Sequence, residues 1–131
     1  MELIFGEYKI STNKDLISLE RVCDLLSKSY WANQRSKEKI KESIKNSICI
    51  GIYDTEKMIG FARIVTDYAT MYWLCDVIID EQYRGNGLGK KLIESLTQME
   101  ELKEECLVFW QPVTPMGYMK NMGSNGNREN I

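Results

Sequence analysis

The sequence predicts a single α/β (α+β) domain with a mixed, mostly antiparallel sheet flanked by helices. Three β-type runs, Ile48 to Tyr53, Met58 to Thr66 and Met71 to Ile79, follow one another across turns of four residues, which predicts an antiparallel meander. Apolar residues recur at helical spacing on both sides of this meander. With 131 residues of ordinary globular composition, 44% hydrophobic and 27% charged, the chain has room for one core.

Before the meander, the pattern predicts one strand and two helices. Leu3 to Ile10 is predicted as the first strand, and Thr12 with the acidic residue three positions later resembles a capping box. A helix is therefore expected from about Asp15 to Ser29. Ser36 is placed to cap a second helix, which carries one apolar face, Ile40, Ile44 and Ile48.

The predicted domain covers residues 1–110 and ends in an apolar strand, Cys106 to Trp110. The tail, residues 111–131, holds both prolines together with many Asn and Gly residues, a composition poorly suited to strands. We therefore expect the C-terminal strands of the fold to be altered or missing. An apolar strand edge exposed in this way favours self-association, so a homodimer is expected.

Charge and cysteine usage limit the partners and the compartment. A formal net charge of −2 argues against nucleic acid as a partner, because binding to phosphates needs a clustered basic surface. The four cysteines are widely spaced, without a CxxC pair or a secretory signal before them, which predicts reduced cytoplasmic thiols. Since no apolar run approaches the roughly 20 residues of a membrane span, no membrane partner is expected.

Histidine is absent from the sequence. This absence excludes Ser-His-Asp and Cys-His catalysis, and it leaves only cysteines and carboxylates as ligands for zinc. No metal is expected, and the chemistry must depend on carboxylates, hydroxyls, water and the backbone.

A glycine-rich loop, Arg84 to Gly89, joins the third strand of the meander to a helix whose apolar residues recur at Leu88, Leu92, Leu96 and Met99. The first N–H groups of a helix have no intrahelical partner, and they lie at the positive end of its dipole. Glycines allow an anion to approach the backbone, and Arg84, Lys90 and Lys91 add positive charge. The segment therefore predicts a phosphate site.

Two familiar phosphate loops do not fit this spacing. A Walker A loop would need glycine at Arg84 and a hydroxyl residue at Lys91. A dinucleotide fingerprint that starts at Gly85 or Gly87 has Lys90 or Leu92 at its third glycine, where helix packing would be blocked. A helix cap with glycines for a tight turn remains the alternative structural interpretation.

The pattern Arg-x-x-Gly-x-Gly, preceded by an apolar strand and the acidic turn Asp80 to Tyr83, resembles the acetyl-CoA pyrophosphate loop of the GNAT acetyltransferases. The order of the predicted elements through residue 110 is also that of GNAT proteins. In this family the loop amides hold the pyrophosphate, and the preceding strand pairs with the pantetheine arm. The resemblance assigns acetyl-CoA binding to Val77, Ile78, Ile79, Arg84, Gly85, Asn86, Gly87, Leu88, Gly89 and Lys90.

Further motifs resemble one bacterial GNAT branch that acts on small molecules: Ser29 to Ala32, Gly60 to Arg63, Val65 to Thr70 and Cys75 to Val77. The resemblance implies an N-acetyltransferase that moves acetyl from acetyl-CoA to a primary amine of a small molecule or peptide. A backbone N–H near Val77 to Ile79 would then stabilise the oxyanion. The alternative is a catalytically impaired, acyl-CoA-binding GNAT-like domain.

Candidate residues for the chemistry lie around the same strand. Asp76 is the one carboxylate inside its apolar run, where desolvation would raise its pKa towards that of a general base. The alternative is a side chain on the other face of the strand that is exposed or structurally paired. Tyr30 and Trp31 are either core residues or substrate contacts, because that junction forms the acceptor side in GNAT proteins. Asp67 is a further candidate, although an Asp in a turn usually serves the turn.

The general acid is the residue most affected by the unusual tail. GNAT enzymes of this branch continue after the fifth strand with Thr-x-Asp-Ala-His-x-Leu-Tyr and a Gly-Phe pair, and the tyrosine commonly protonates the CoA thiolate. This segment is missing here, and Tyr118 is the only nearby tyrosine.

We hypothesise that the tail is this family ending read in the wrong frame after a shift at or shortly before Cys106. When the codons from Val108 to Asn125 are read from their third base, the frame can spell Leu-Ala-Thr-x-Asp-Ala-His-Gly-Leu-Tyr-Glu-Lys-Tyr-Gly-Phe. Five of these residues are forced by the codons: Leu at Phe109/Trp110, Ala at Trp110/Gln111, Gly at Met116/Gly117, Glu at Met119/Lys120 and Gly at Met122/Gly123.

Sequencing the coding DNA tests the frameshift hypothesis. The expected result is that the unforced positions use synonymous codons that spell the family ending in the alternative frame. Codons that spell an unrelated sequence there would contradict the hypothesis. If the protein itself carries the shift, restoring the frame should raise turnover, while the hold of the Arg84 to Gly89 loop on CoA changes little.

Overall fold

A computed structural model describes residues 1–96, 98–99, 102, 107–110 and 120–121. Within these residues, one sheet of seven strands is accompanied by three α-helices. The elements are β1 (Glu2–Phe5), β2 (Tyr8–Ser11), α1 (Leu19–Ser27), α2 (Lys37–Lys45), β3 (Ile48–Asp54), β4 (Lys57–Thr66), β5 (Met71–Ile79), α3 (Leu88–Leu96), β6 (Leu107–Trp110) and β7 (Lys120–Asn121).

The strands lie in the sheet in the same order as in the chain. All neighbouring pairs are antiparallel except β5 and β6, which are parallel. A parallel pair needs a crossover, and here the connection contains α3. The predicted mixed, mostly antiparallel sheet flanked by helices is therefore confirmed.

The predicted single strand from Leu3 to Ile10 is wrong, because this segment forms the hairpin of β1 and β2. Phe5 pairs with Tyr8, which leaves a two-residue loop whose first residue, Gly6, has a φ of +64°. Hairpins of two-residue loops favour glycine at this position because L-residues rarely adopt a positive φ.

The predicted helix from Asp15 to Ser29 is also too long. Asn13 caps only a 3₁₀ turn, and α1 begins after Ser18, whose hydroxyl accepts a hydrogen bond from the Arg21 amide at 3.2 Å. The predicted capping box at Thr12 is wrong, since that hydroxyl instead accepts from the N-terminal amine at 2.8 Å.

The elements from α2 to β5 agree closely with the prediction. Ser36 caps α2 by accepting from the Lys39 amide at 3.1 Å, as its position in the sequence predicted. Strand β5 has the predicted bounds, and β3 and β4 each gain one residue beside their shared turn. Cap and turn residues in the sequence therefore predicted the positions of α2, β3, β4 and β5 to within about one residue at the ends described above.

The sheet separates two hydrophobic clusters. Helices α1 and α2 cover one side, the α1–α2 face, where Leu25 and Leu26 pack with Phe61. Helix α3 covers the other side, the α3 face, where Leu92 packs with Leu74 among other residues. No helix in the described part of the chain is both long and apolar enough to cross a membrane.

A β-bulge in β5 changes which residues face each side of the sheet. Phe61 pairs with Ile78 but Arg63 pairs with Cys75, so β5 holds one residue more than β4 between these pairs. Asp76 lies at the bulge with a φ of +57°, a left-handed conformation that is unusual for a residue other than glycine.

The side-chain alternation of β5 shifts by one position at this bulge. Before it, Tyr72 and Leu74 pack on the α3 face, whereas after it Val77 and Ile79 do so. The bulge therefore turns Asp76 towards the α1–α2 face, where a regular strand would have turned it towards the α3 core.

The far edge of β5 is only half covered. Strand β6 pairs with Met71 to Leu74, and within the described residues no strand pairs with Cys75 to Ile79 along that edge. We call this second half the open edge of β5. Its Ile79 carbonyl accepts a hydrogen bond from Arg84 Nε at 3.0 Å, and its other outward backbone groups face no strand of the described residues, so another extended chain can pair with them.

Candidate active site

A cavity of about 360 Å³ lies where the C-terminal end of α1 faces the open edge of β5. A second cavity of about 310 Å³ lies between α1 and the segment that follows β5, and the two cavities share Lys28, Ile78, Ile79 and Arg84 as lining residues. The first cavity, which we call the cleft, is lined by Lys28, Ser29, Tyr30, Trp31, Val77, Ile78, Ile79 and Arg84. Six of these residues were predicted as site residues from the sequence.

The glycine-rich loop has the conformation that its sequence requires. Gly85 and Gly87 have φ values of +89° and +76°, which only glycine adopts readily. The Lys91 amide donates to the Gly87 carbonyl at 3.0 Å, so α3 begins immediately after Gly87. The amides of Leu88, Gly89 and Lys90 therefore have no intrahelical partner and are available to an anion.

Hydrogen bonds within the loop fix its shape. Arg84 Nε donates to the Ile79 carbonyl at 3.0 Å, and Asn86 Nδ2 donates to the Tyr83 carbonyl at 3.0 Å. Tyr83 is in turn anchored by its hydroxyl, which donates to Asp54 Oδ2 at 2.9 Å. The side chain of the predicted site residue Asn86 thus stabilises the loop from within.

An ion pair between Arg21 and Asp80 joins helix α1 to the start of the loop. Arg21 Nε also donates to the Met58 carbonyl at 2.7 Å, and the Asp80 amide donates to the Ile59 carbonyl at 2.7 Å. The Gln82 amide and the Arg21 guanidinium stabilise the Asp80 carboxylate, so the pKa of Asp80 lies below its ordinary value. Sequence reasoning missed Arg21 because its partner is 59 residues away.

Asp76 is almost completely buried, with 3% of its side chain exposed. Its Oδ1 accepts from Trp31 Nε1 at 3.1 Å, while its Oδ2 accepts from Arg35 Nη1 at 2.8 Å and from Arg63 Nε at 2.9 Å. Every donor in this cluster comes from the α1–α2 segment or from β4.

The prediction that Asp76 has a raised pKa is wrong. Burial by itself raises this pKa, but the hydrogen bonds and positive charges of Arg35 and Arg63 outweigh burial and hold the pKa below its ordinary value. At neutral pH the side chain is therefore an ionised carboxylate with two guanidinium partners. Such a group is a poor proton acceptor, which favours the structurally paired interpretation over the general base.

Arg35 and Arg63 were not identified from the sequence. Arg63 Nη1 also donates to Ser47 Oγ at 3.0 Å, so the cluster reaches the start of β3. A signal for Arg63 existed, because the meander places it opposite Cys75, the neighbour of Asp76. Arg35 gave no such signal, since it lies in an irregular segment 41 residues before its partner.

Tyr30 and Trp31 form one wall of the cleft. Their rings make an edge-to-face contact with centroids 5.6 Å apart. Tyr30 is 56% exposed, so the interpretation of this residue as a core residue is wrong. Trp31 packs at the border of the α1–α2 core and also lines the cleft. It is therefore partly a core residue, and contact with a substrate stays a prediction.

Asp67 lies in the β4–β5 turn, at the opposite end of β5 from the glycine-rich loop, and it lines neither cavity. Its carboxylate accepts from the Thr70 hydroxyl at 2.7 Å and from the amides of Thr70 and Ala69 at 2.8 and 2.9 Å. These bonds, led by that of the Thr70 hydroxyl, lower the pKa of Asp67. The structure therefore accounts for Asp67 as a turn residue.

Tyr118, the predicted general acid, lies outside the described residues, and so does Cys106 at the start of the predicted last strand. The described backbone of this region consists of β6, which has the predicted end at Trp110, and of the short β7. The role of Tyr118 stays a prediction.

The described side chains favour direct transfer between bound substrates over a covalent cysteine intermediate. Burial raises the pKa of Cys49 and of Cys75 to about 11, and it also raises the pKa of Cys23, so these three thiols remain protonated at neutral pH. Within the described residues, no group of three or more Cys, Asp or Glu side chains is arranged to hold a metal ion.

Comparison with known proteins identifies the family. The family model described as "Acetyltransferase (GNAT) family" matches residues 19–115. An uncharacterized N-acetyltransferase, ycf52, of Pyropia yezoensis is 35% identical, over 91% of this chain and 71% of that protein. A putative acetyltransferase of Gibberella zeae, FG08082, is 24% identical, over 95% of this chain and 82% of that protein.

Solved structures share the fold. A putative GNAT acetyltransferase from Xanthomonas campestris pv. campestris superposes with a TM-score of 0.77 at 24% identity, over 83% of this chain and 78% of that one. A GNAT acetyltransferase from Elizabethkingia anophelis, with acetyl-CoA bound, superposes with a TM-score of 0.60 at 14% identity, over 80% and 66% of the two chains. The chain therefore belongs to the GNAT family and is an acetyltransferase.

Proposed function

We propose that this acetyltransferase moves an acetyl group from acetyl-CoA to a primary amine of a small molecule or peptide. The observation that carries the proposal is the shape of the cleft, which lies along Val77 to Ile79 of the open edge of β5 and reaches Arg84, the first residue of the glycine-rich loop. A GNAT neighbour holds acetyl-CoA, which supports the same ligand here.

In the proposed complex, acetyl-CoA uses both features at once. The pantetheine arm pairs with the main chain of Val77 to Ile79, as an extended ligand does when it adds to a sheet edge. The pyrophosphate accepts hydrogen bonds from the amides of Leu88, Gly89 and Lys90, and Arg84 and Lys90 contribute positive charge. This placement puts the thioester near the bulge, beside Tyr30 and Trp31.

The reaction requires a neutral amine, although a free alkyl amine titrates near about 10.4. Asp76 is paired with two arginines and Asp80 with Arg21, so we propose that water in the cleft accepts the proton from the amine. The neutral amine nitrogen then attacks the thioester carbon and the C–S bond breaks. The nitrogen loses its second proton as the amide forms, and the departing thiolate takes up one proton, so the step is balanced. A backbone N–H of the open edge would stabilise the oxyanion.

The competing proposal is an acyl-CoA-binding domain with impaired catalysis, since the acid-bearing segment of the family is replaced by the unusual tail. Both proposals require the loop to bind acetyl-CoA, but only the first requires thiol release in the presence of an amine.

A turnover assay with two substitutions at one position tests the function. The enzyme should release thiol from acetyl-CoA when an amine panel of alkylamines, amino acids, peptides and aminoglycosides is added. Gly89→Glu should abolish acetyl-CoA binding, because it brings a carboxylate to the phosphate site. Gly89→Ala is the matched control and should bind within about threefold of the wild type, since no positive φ is needed there and the new Cβ would lie 3.9 Å from Ile79 Cγ1.

Calorimetry distinguishes the possible failures of this test. Acetyl-CoA binding without thiol release for any amine would support the catalytically impaired domain. Equal affinities of the Gly89→Glu variant and the wild type would contradict the placement of the pyrophosphate on the loop.

We also propose that the protein is a homodimer and works in the cytoplasm, where its thiols remain reduced; Cys23, Cys49 and Cys75 are free. Within the described residues, β7 pairs with Phe109 and Trp110 of β6 and is the last strand of the sheet on this side. A second copy that extends the sheet at this edge would pair with the backbone groups of the edge strand. Sedimentation velocity should therefore show a dimer at micromolar concentration, and a monomer across the accessible concentration range would contradict the proposal.

A further inference from the structure

The bulge residue Asp76 combines an unusual backbone with an unusually complete set of partners. A left-handed φ at a residue other than glycine persists when the surroundings determine it. Here the surroundings are three donors to one buried carboxylate, the indole of Trp31 and the guanidinium groups of Arg35 and Arg63. The backbone conformation and the hydrogen bonds of the side chain therefore support each other.

These donors connect the two walls of the cleft. Trp31 and Arg35 belong to the segment between α1 and α2, which also carries Tyr30. Tyr30 and Trp31 form one wall of the cleft. Asp76 belongs to β5, and the residues that follow it, Val77 to Ile79, form the facing wall. A single carboxylate thus fixes the distance between the wall proposed to hold the acyl group and the aromatic wall opposite.

The charge balance of the cluster depends on the same carboxylate. Two guanidinium groups with limited exposure, 21% and 15% of their side chains, share one Asp76 oxygen. If the carboxylate became neutral, two cations would face each other without compensation and would move apart. The movement would displace the Trp31 wall on one side and the bulge on the other.

We propose that Asp76 is a positioning residue. Its hydrogen bonds to Trp31, Arg35 and Arg63 hold the open edge of β5 at a fixed distance and orientation from the Tyr30–Trp31 wall. This inference rests on the proposed function of the cleft. It predicts that the Asp76 cluster affects the alignment of the acyl group with the amine. The affinity of the glycine-rich loop for CoA should not depend on this cluster. Misplacement of reacting groups by about 1 Å is enough to cost about 100-fold in rate.

The test compares Asp76→Asn, Arg35→Gln and the double variant. Each single variant should lower kcat at least about 10-fold, while the affinity for acetyl-CoA stays within about threefold, because alignment and not cofactor binding is lost. The double variant should be no worse than the poorer single variant, since both changes break one cluster. Arg35→Lys should recover part of the rate because it keeps the positive charge. The control is Lys41→Gln, which removes an exposed positive charge from α2.

The pH profile separates this role from general-base catalysis. A positioning role leaves the shape of the kcat/KM profile unchanged in Asp76→Asn. Loss of the acidic limb in that variant, with Arg35→Gln near wild type, would show that Asp76 is the base and would overturn the proposal. Additive effects of the two substitutions would also overturn it.

A second readout does not depend on turnover, so it also serves if the wild type acetylates no amine on the panel or if Asp76→Asn folds poorly. Hydrogen exchange of the backbone amides should be faster at residues 76–79 and at residues 30–31 together in Arg35→Gln, while the amides of α3 exchange as in the Lys41→Gln control. Unchanged exchange at both walls would show that the cluster does not connect them. Failure of acetyl transfer by the wild type, in contrast, would count against the proposed function alone.

Discussion

The pairing of one buried carboxylate with two arginines is the interaction on which the site depends. Only 3% of the Asp76 side chain is exposed, and burying a charged group is costly unless the group is paired and hydrogen-bonded. The Asp76 carboxylate is both. The donors come from β4 and from the segment before α2, so the pairing is possible only if β5 bulges and turns the carboxylate to the α1–α2 face. Without the bulge, the charge would enter the apolar core under α3.

The bulge also coincides with the place where the sheet opens. Strand β6 pairs with β5 as far as Leu74, and among the described residues the edge without a partner strand begins at Cys75, directly before the bulge. A change of side-chain register and an exposed ladder of backbone groups thus occur within two residues. A short turn then connects the same strand to the loop whose glycines have positive φ values, and α3 begins directly after that loop.

The segment between β5 and α3, which contains the loop, is restrained by contacts with other parts of the fold. Asp54 holds Tyr83, and Arg21 holds Asp80, so strand β3 and helix α1 both restrain the segment between β5 and α3. A site restrained in this way loses little conformational entropy when an anion binds. The positive end of α3 and the three free amides at its start are then presented in one place.

Sequence reasoning located what depends on neighbouring residues. The meander, the Ser36 cap and the change from glycine-rich loop to helix at Leu88 are local signals, and the structure contains all of them. The first hairpin was missed because Gly6 was treated as part of a strand, although a positive φ there divides it.

The meander could have indicated Arg63 as a neighbour of Asp76, but the other two partners, Arg35 and Trp31, are 41 and 45 residues away in the sequence and gave no local signal. Burial was anticipated correctly, but its effect on the pKa is opposed by arginines that only the fold brings near. The chemistry of the general acid is open for a different reason, since Tyr118 lies outside the described residues.

The central claim is that the open edge of β5 and the glycine-rich loop together form the acyl-CoA cleft. Residue-resolved hydrogen exchange, with and without saturating coenzyme A, tests this claim most directly. The account predicts protection of the amides of residues 77–79 and 84–90 in the same titration, with little change in β1 and β2. Protection confined to other parts of the chain, with both of these segments unchanged, would contradict it.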